Sequence, residues 1–297
     1  MNLPAKLAPG LWRLGTYHIA AFLVRGRQGA CLFEVGVSGT VATILAQLDS
    51  LGLDREEVRW VVLSHAHADH ATGQAGLLAG LPQATLLLTA ASQKYLAKPS
   101  TADDFATEDA YSNRALARAG DPADTDARPG ELLPQPWQVV EPGFELDLGD
   151  LTLRLLAAEG HVPGGLTALV PQLAAVLASD SAGFVTRRPP GFPLYFVSYA
   201  AYRDTLESIA ELKPEVLAGG HQDWFSGPAV NAYLQSVVQD LEREHAFIHT
   251  ETRRGCTQQA IAQQIFDHYY QDELLVYSPE SIMQCCQLLV RRSLEDE

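Results

Sequence analysis

The chain has 297 residues, 47% of them hydrophobic, with 36 acidic against 21 basic side chains and a formal charge of −15. That length allows one large domain or two small ones and can bury a full core without disulfide or metal staples. The composition excludes wholesale disorder, and the acidic excess argues against a non-specific grip on nucleic-acid backbones.

Short apolar runs at 11–14, 19–24 and 30–35 read as strands separated by Gly-rich turns. Residues 40–51 fit a helix, with Val41, Ile44, Leu45 and Leu48 on one face. The β-branched and aromatic run 59–63 has the character of a buried strand. A helix is expected over 70–81, a strand over 84–88, and a second helix through Lys98 with Thr89 as its N-cap. Residues 99–136 are rich in Ala, Asp, Pro and Thr with weak periodicity. They read as an insertion or lid-like excursion, with one helix around 109–119. Strand signals resume at 138–140, 144–146, 151–157, 166–170 and 174–177, followed by a helix over 199–212 and a strand at 216–218. The last third is helical: a long helix opens at Pro228, Thr257 caps another, and Ser278-Pro279 opens a third. Hairpins early in each half and helices later imply two α/β halves packed sheet against sheet.

Cys31, Cys256, Cys285 and Cys286 form no CxxC knuckle and are expected as free thiols in a reducing cytosol. The N-terminus lacks a basic segment followed by an apolar run, so no signal peptide is expected. The most apolar stretch, 166–178, is broken by Pro171 and too short to span a bilayer. A soluble, cytoplasmic protein is the expectation.

The sharpest feature is Ser64-His65-Ala66-His67-Ala68-Asp69-His70, directly after the strand at 59–63. His65 and His67, two apart on extended chain, point the same way and can converge on one ion. Asp69 and His70 lie where the chain turns into a helix and can face a second ion. A two-metal site needs more ligands, and three candidates each follow a strand signal beside glycine or serine: His161, Asp180 and His221.

This pattern resembles the metal signature of the metallo-β-lactamase superfamily of hydrolases. The resemblance covers residue 11 to about 225. It implies an α/β fold, an αββα sandwich of two mixed β-sheets flanked by helices, here with a C-terminal helical extension. His65, His67 and His161 would then hold one divalent ion, Asp69, His70 and His221 a second, and Asp180 would bridge them. Zinc comes first, with iron and manganese also suited to mixed His/carboxylate ligands. Two departures stand out. Glu34-Val35-Gly36 occupies a place where many members have Asp-x-Gly, and the His161 loop reads Gly-His-Val-Pro-Gly-Gly instead of Gly-His-Thr-Pro-Gly-His.

The resemblance further implies a hydrolase in which a metal-bridging hydroxide attacks the substrate, with Asp69 also moving a proton. A small acyl substrate is expected, a thioester ahead of a lactone or other ester, and an anionic one is compatible with the charge of two bound cations. The alternatives are a phosphodiesterase or ribonuclease of the same superfamily, and a regulatory binding protein with a slow metal site. Long nucleic acids and membranes are not expected as partners. The segment 186–196, with Arg187 and Arg188 among several aromatics, is a candidate pocket wall, and Tyr195, Phe196 and Tyr199 are its candidate contacts. Residues 1–226 read as the catalytic domain and 227–297 as a helical cap similar to that of thioesterase-like members. The cap's apolar residues, Phe247, Ile248, Ile265, Phe266, Leu274 and Leu275, suit an acyl pocket, a core or a homodimer face. His18, His245, His249 and His268 read as ordinary histidines.

Overall fold

The structure, a computed structural model, describes residues 3–187 and 190–295. Arg188 and Pro189, part of the candidate wall, lie outside the described residues. The first sheet begins as an antiparallel ladder of β1 (Ala5–Ala8), β2 (Leu11–Gly15), β3 (Ala20–Gly26) and β4 (Gly29–Phe33). It continues in parallel with β5 (Val58–Val62), β6 (Thr85–Leu88) and β7 (Trp137–Val139). Between these strands run α1 (Val41–Ser50), α2 (Ala68–Ala71), α3 (Gln74–Gly80), α4 (Ala90–Leu96) and α5 (Pro99–Ala119).

The second sheet comprises β8 (Glu145–Asp147), β9 (Thr152–Ala158), β10 (Gly165–Val170), β11 (Ala175–Ser179), β12 (Val216–Gly219) and β13 (Trp224–Ser226), in the spatial order β13-β12-β11-β10-β9-β8. Only β11 and β12 run parallel there, because α6 (Tyr199–Glu211) is the crossover that joins them. The tail is α7 (Pro228–Arg253), α8 (Gln258–Tyr269) and α9 (Pro279–Glu295). No helix among the described residues is long and apolar enough to cross a membrane, and the four cysteines are unpaired.

Alternation along each strand sorts the side chains into layers. On β3, Phe22 and Val24 enter the core between the sheets, while Ala21 and Leu23 face the outer helices of the first sheet. On β11, Leu177 points inward, while Val176 and Ala178 pack with α6 to α9. Both faces are covered, so these strands read as continuous apolar runs. The result is the αββα sandwich the resemblance implies.

Three differences from the sequence reading have physical causes. The helix expected over 70–81 is broken into α2 and α3. Gly73 is drawn onto the loop after β4: its N–H donates to Gly36 O at 2.9 Å, and a Cβ there would sit 2.5 Å from Val35 O. The expected excursion at 99–136 starts instead with the 21-residue α5, which has Pro at its N-terminus and Gly120 as a left-handed C-cap. Its buried face runs Thr101, Phe105, Asp109, Ser112, Asn113 and Leu116, a helical period carried largely by polar side chains that a hydropathy pattern misses. Finally, β1 and β13, short strands at the two sheet edges, escape the sequence signals.

Among the buried acids of the helical tail, Glu244 lies between two helices. Glu244 on α7 accepts from the Tyr269 hydroxyl of α8 at 3.0 Å, while its Oε1 has no partner among the described residues. Burial pushes its carboxyl up to about 7 from an ordinary 4.5, outweighing the lowering by Tyr269 and Arg243. The folded chain therefore holds a proton that the unfolded chain has released, so stability falls as pH rises through 4.5 to 7. Glu244→Gln should be nearly neutral at pH 5 and stabilising by about 2 kcal/mol at pH 8, read from urea unfolding at the two pH values.

Candidate metal centre

The candidate ligands converge from loops at strand ends of both sheets. His65 to His70 follow β5, His161 lies in the turn between β9 and β10, Asp180 follows β11 and His221 follows β12. The sheets are pinned together here: Leu166 N donates to Ser64 O, and Ala20 N to Gly220 O. Gly220 must be glycine for the approach to work, since a Cβ would lie 2.8 Å from the His70 ring and 2.9 Å from Asp180 Oδ1. Three non-glycine residues beside the cluster, Glu34, Ser179 and Gln222, have φ of 78°, 49° and 45°. Such conformations cost about 1–3 kcal/mol each and persist where the surroundings over-determine them.

Two ligand groups share one carboxylate. In the first, His67 Nδ1 lies 3.0 Å from His65 Nε2 and 3.1 Å from His161 Nε2, and Asp180 Oδ2 lies 3.3 Å from His161 Nε2. In the second, His70 Nε2 and His221 Nε2 are 3.2 Å apart, with Asp69 Oδ2 at 3.4 and 3.6 Å from them. Asp180 Oδ1 reaches this second group, 3.1 Å from His221 Nε2. Within each group the ligand atoms lie within 4.8 Å of one another.

Most of the imidazoles are fixed from behind. His161 Nδ1 donates to Leu194 O at 2.7 Å and His221 Nδ1 to His18 O at 2.8 Å. A carbonyl only accepts, so Nδ1 carries the hydrogen and the neutral ring turns its Nε2 lone pair to the centre. His70 Nδ1 is held by Glu34 Oε2 at 2.9 Å and His65 Nδ1 by Ser64 Oγ at 2.9 Å. Asp180 Oδ1 is buried without a hydrogen-bond partner among the described residues. Facing lone pairs and an orphaned carboxylate oxygen fit a pair of divalent cations.

A sequence pattern of the metallo-β-lactamase superfamily matches residues 14–221. The chain belongs to that superfamily. It is 26% identical over 231 residues to the metallo-β-lactamase fold-containing protein ST1585 of Sulfurisphaera tokodaii, spanning 74% of this chain and 79% of that one. The crystal structure of ST1585 from Sulfolobus tokodaii has a TM-score of 0.59 at 22% identity, covering 79% of this chain and 86% of its own. The metallo-β-lactamase family protein TTHA1429 of Thermus thermophilus has a TM-score of 0.62 at 17% identity, covering 94% and 93%. The Rm3 metallo-β-lactamase has 0.58 at 22%, covering 82% and 93%. These last three likenesses establish a shared fold.

In this superfamily member a cavity of about 510 Å³ opens on the cluster, with His67, Asp69, His161, Asp180 and His221 at its floor. Of the candidate wall segment, Phe192, Leu194 and Phe196 line it. Tyr195 does not: alternation turns it away, buried with its hydroxyl 2.9 Å from Ser293 Oγ of α9. Tyr199 is also displaced, stacked on His245 of α7 at 3.9 Å. Arg187 pairs with Glu273 at 2.9 Å, and no Lys or Arg lines the cavity among the described residues. Of the tail residues singled out, Leu274 alone reaches the cavity; Ile248 and Ile265 are core and Leu275 is exposed.

Sequence reasoning missed Tyr277, Glu108 and Asp109. The Tyr277 hydroxyl lies 3.2 Å from His221 Nδ1; burial, Asp69 and Asp180 raise its pKa well above the ordinary phenol value. Asp109 of α5 accepts from Ser38 N and Oγ, Thr72 Oγ1 and Asn113 Nδ2, fastening the loop after β4 and the α2–α3 break to the helix. Removing that carboxylate leaves several buried donors unpaired. Asp109→Ala should cost about 2–4 kcal/mol and lower metal content, by thermal unfolding and elemental analysis.

Without metal, the two groups differ in protonation. Burial, with neighbouring histidines, holds His65 well below its ordinary value and His67 down at about 3. Burial would lower His70 and His221 too. It is overcome by Asp69, Glu34 and Asp180 at His70, and by Asp180 and Asp69 at His221, so both are raised. Protons therefore compete with metal mainly at the Asp69–His70–His221 group. Competition against a chromogenic chelator should show affinity there falling steeply between pH 8 and 6, while the other group keeps its metal.

Proposed function

We propose that the chain is a binuclear metal-dependent hydrolase acting on a small acyl substrate, a thioester ahead of a lactone or other ester. The observation that carries this reading is two ligand groups sharing Asp180 at the floor of a small-molecule cavity. Its volume lies within the roughly 300–1,000 Å³ usual for small-molecule sites. Its aromatic wall of Phe184, Phe192 and Phe196 suits an acyl chain, and no Lys or Arg lines it among the described residues, which offers a long phosphate backbone little to hold.

His65, His67 and His161 would hold one ion, Asp69, His70 and His221 the other, and Asp180 both. Bound divalent ions supply Lewis acidity that polarises a carbonyl and brings water's pKa towards neutrality. Asp69 keeps its carboxylate partly open to the cavity, 14% exposed. Burial alone would raise its pKa, but His70, hydrogen-bonded to it, and His221 hold it well below the usual carboxylate range. A carboxylate at this place can accept a proton from water at the oxygen that does not ligate and return it to the leaving group. Phe192, Leu194 and Phe196 exclude bulk water from the acyl end and strengthen electrostatic interactions at the floor.

The test combines elemental analysis with a panel of thioesters, lactones, esters and phosphodiesters. Two metals per chain and turnover of short acyl thioesters are expected. Asp69→Ala should lower kcat by about 10³-fold or more and weaken one of the two metals while circular dichroism stays unchanged. A metal-loaded sample that turns over nothing in the panel sinks the reading.

A further inference from the structure

The cavity's outer wall is chemically unlike its floor. Asp104 and Glu108, one helical turn apart on α5, both line it, and neither is paired with a Lys or Arg among the described residues. Like charges at this spacing destabilise a helix by roughly 0.2–0.5 kcal/mol, so helix formation does not explain the pair. Glu280 of α9 adds a third carboxylate near Glu108. The Glu108 carboxylate is fixed in place, accepting at Oε1 from the Ser278 hydroxyl at 2.8 Å.

Two aromatic rings stand in the same wall. Tyr95 of α4 and Phe105 of α5 have centroids 6.1 Å apart, inclined at 50°. Aromatic faces beside carboxylates are the surroundings that hold alkylammonium groups. The Tyr95 ring already takes a cation, with Lys98 Nζ 4.9 Å from its centroid, although Lys98 does not line the cavity. Among the described residues, two cations beside the 184–196 wall are committed elsewhere: Arg187 to Glu273, and Arg292 to Phe196 O and Glu295. The same cavity runs inward to the buried Asp180 at its floor.

Resting on the hydrolase reading, we infer that the substrate carries a cationic amine or quaternary ammonium group, held by Asp104, Glu108, Tyr95 and Phe105 while its acyl carbonyl sits at the floor. An anionic handle would meet these carboxylates with no Lys or Arg lining the cavity among the described residues, a mismatch that costs affinity by repulsion and desolvation. Asp104 and Glu108 are then specificity residues for the leaving group.

The test separates binding from turnover, using metal-loaded protein. Calorimetry with pentyltrimethylammonium, which cannot be hydrolysed, should show binding at least tenfold tighter than the neutral pentanol. Asp104→Asn plus Glu108→Gln should abolish that preference. Asp104 is exposed, so Asp104→Asn alone keeps the fold and should reduce the preference at least threefold. Hydrolysis is compared on one acyl group joined to thiocholine, 2-mercaptoethanol or 3-mercaptopropionate. The thiocholine ester should exceed the mercaptopropionate ester at least tenfold in kcat/KM, and the double variant should bring the ratio near one. Equal binding of the ammonium and pentanol, or a preference that survives the double variant, overturns the inference. Ammonium binding without turnover of any ester overturns the hydrolase reading and leaves the cation site standing.

Discussion

Five imidazoles and two carboxylates with their ligand atoms a few ångströms apart form an arrangement that no isolated segment of chain would adopt. Burial disfavours every charge in it, and the lone pairs of the rings face one another. It persists because four of the five rings are held from outside: the His18 and Leu194 carbonyls, Glu34 and Ser64 fix ring nitrogens from behind. Left-handed backbone at Glu34, Ser179 and Gln222 aims the loops. The ligands come from both sheets, so a cation at the cluster is also a cross-link between the halves of the sandwich, and its binding free energy adds to folding.

That dependence explains what the sequence could disclose. Metal ligation is a property of side-chain type and spacing, so the His65–His70 run, His161, Asp180 and His221 stand out in the bare chain. The strands that deliver them are equally visible, since burial on both faces writes them as apolar runs. The supports are less visible. Asp109, Ser38, Thr72 and Asn113 meet only after folding, and each alone is an unremarked polar residue. The α5 period rests on polar side chains such as Asp109, Ser112 and Asn113, so the helix reads as an irregular excursion. Tyr195 and Tyr199 show the opposite failure. Their chemistry suits a pocket wall, but alternation in the 192–196 segment sends Tyr195 to Ser293, and the start of α6 gives Tyr199 to His245.

Floor and walls are thus specified by different parts of the chain. The floor is built from strand ends, where a shift of a fraction of an ångström would separate the ligands. The walls are supplied by α5, Phe184, residues 192–196, and α9 with the segment that leads into it, and among the described residues none of these offers a ligand to either group. The two helical walls are tied to each other, through Ser278 to Glu108 and through the Tyr111 and Tyr270 hydroxyls at 3.3 Å. Substitutions at wall positions that touch no ligand, such as Asp104, can therefore retune what enters without disturbing what the floor binds, a division that lets one fold serve many substrates.

The net charge of −15 takes on a local meaning from this division. Two dications would add four positive charges to a floor whose ligand carboxylates are Asp69 and Asp180, leaving it positive. Asp104 and Glu108 keep the outer wall negative over the length of one small cavity. With those ions bound, a molecule entering it would meet a field that changes sign along its own length, favouring negative charge at one end and a cation at the other. Such a field orients a dipolar substrate before any close contact forms. The gradient weakens as salt shortens the screening length below the dimensions of the cavity.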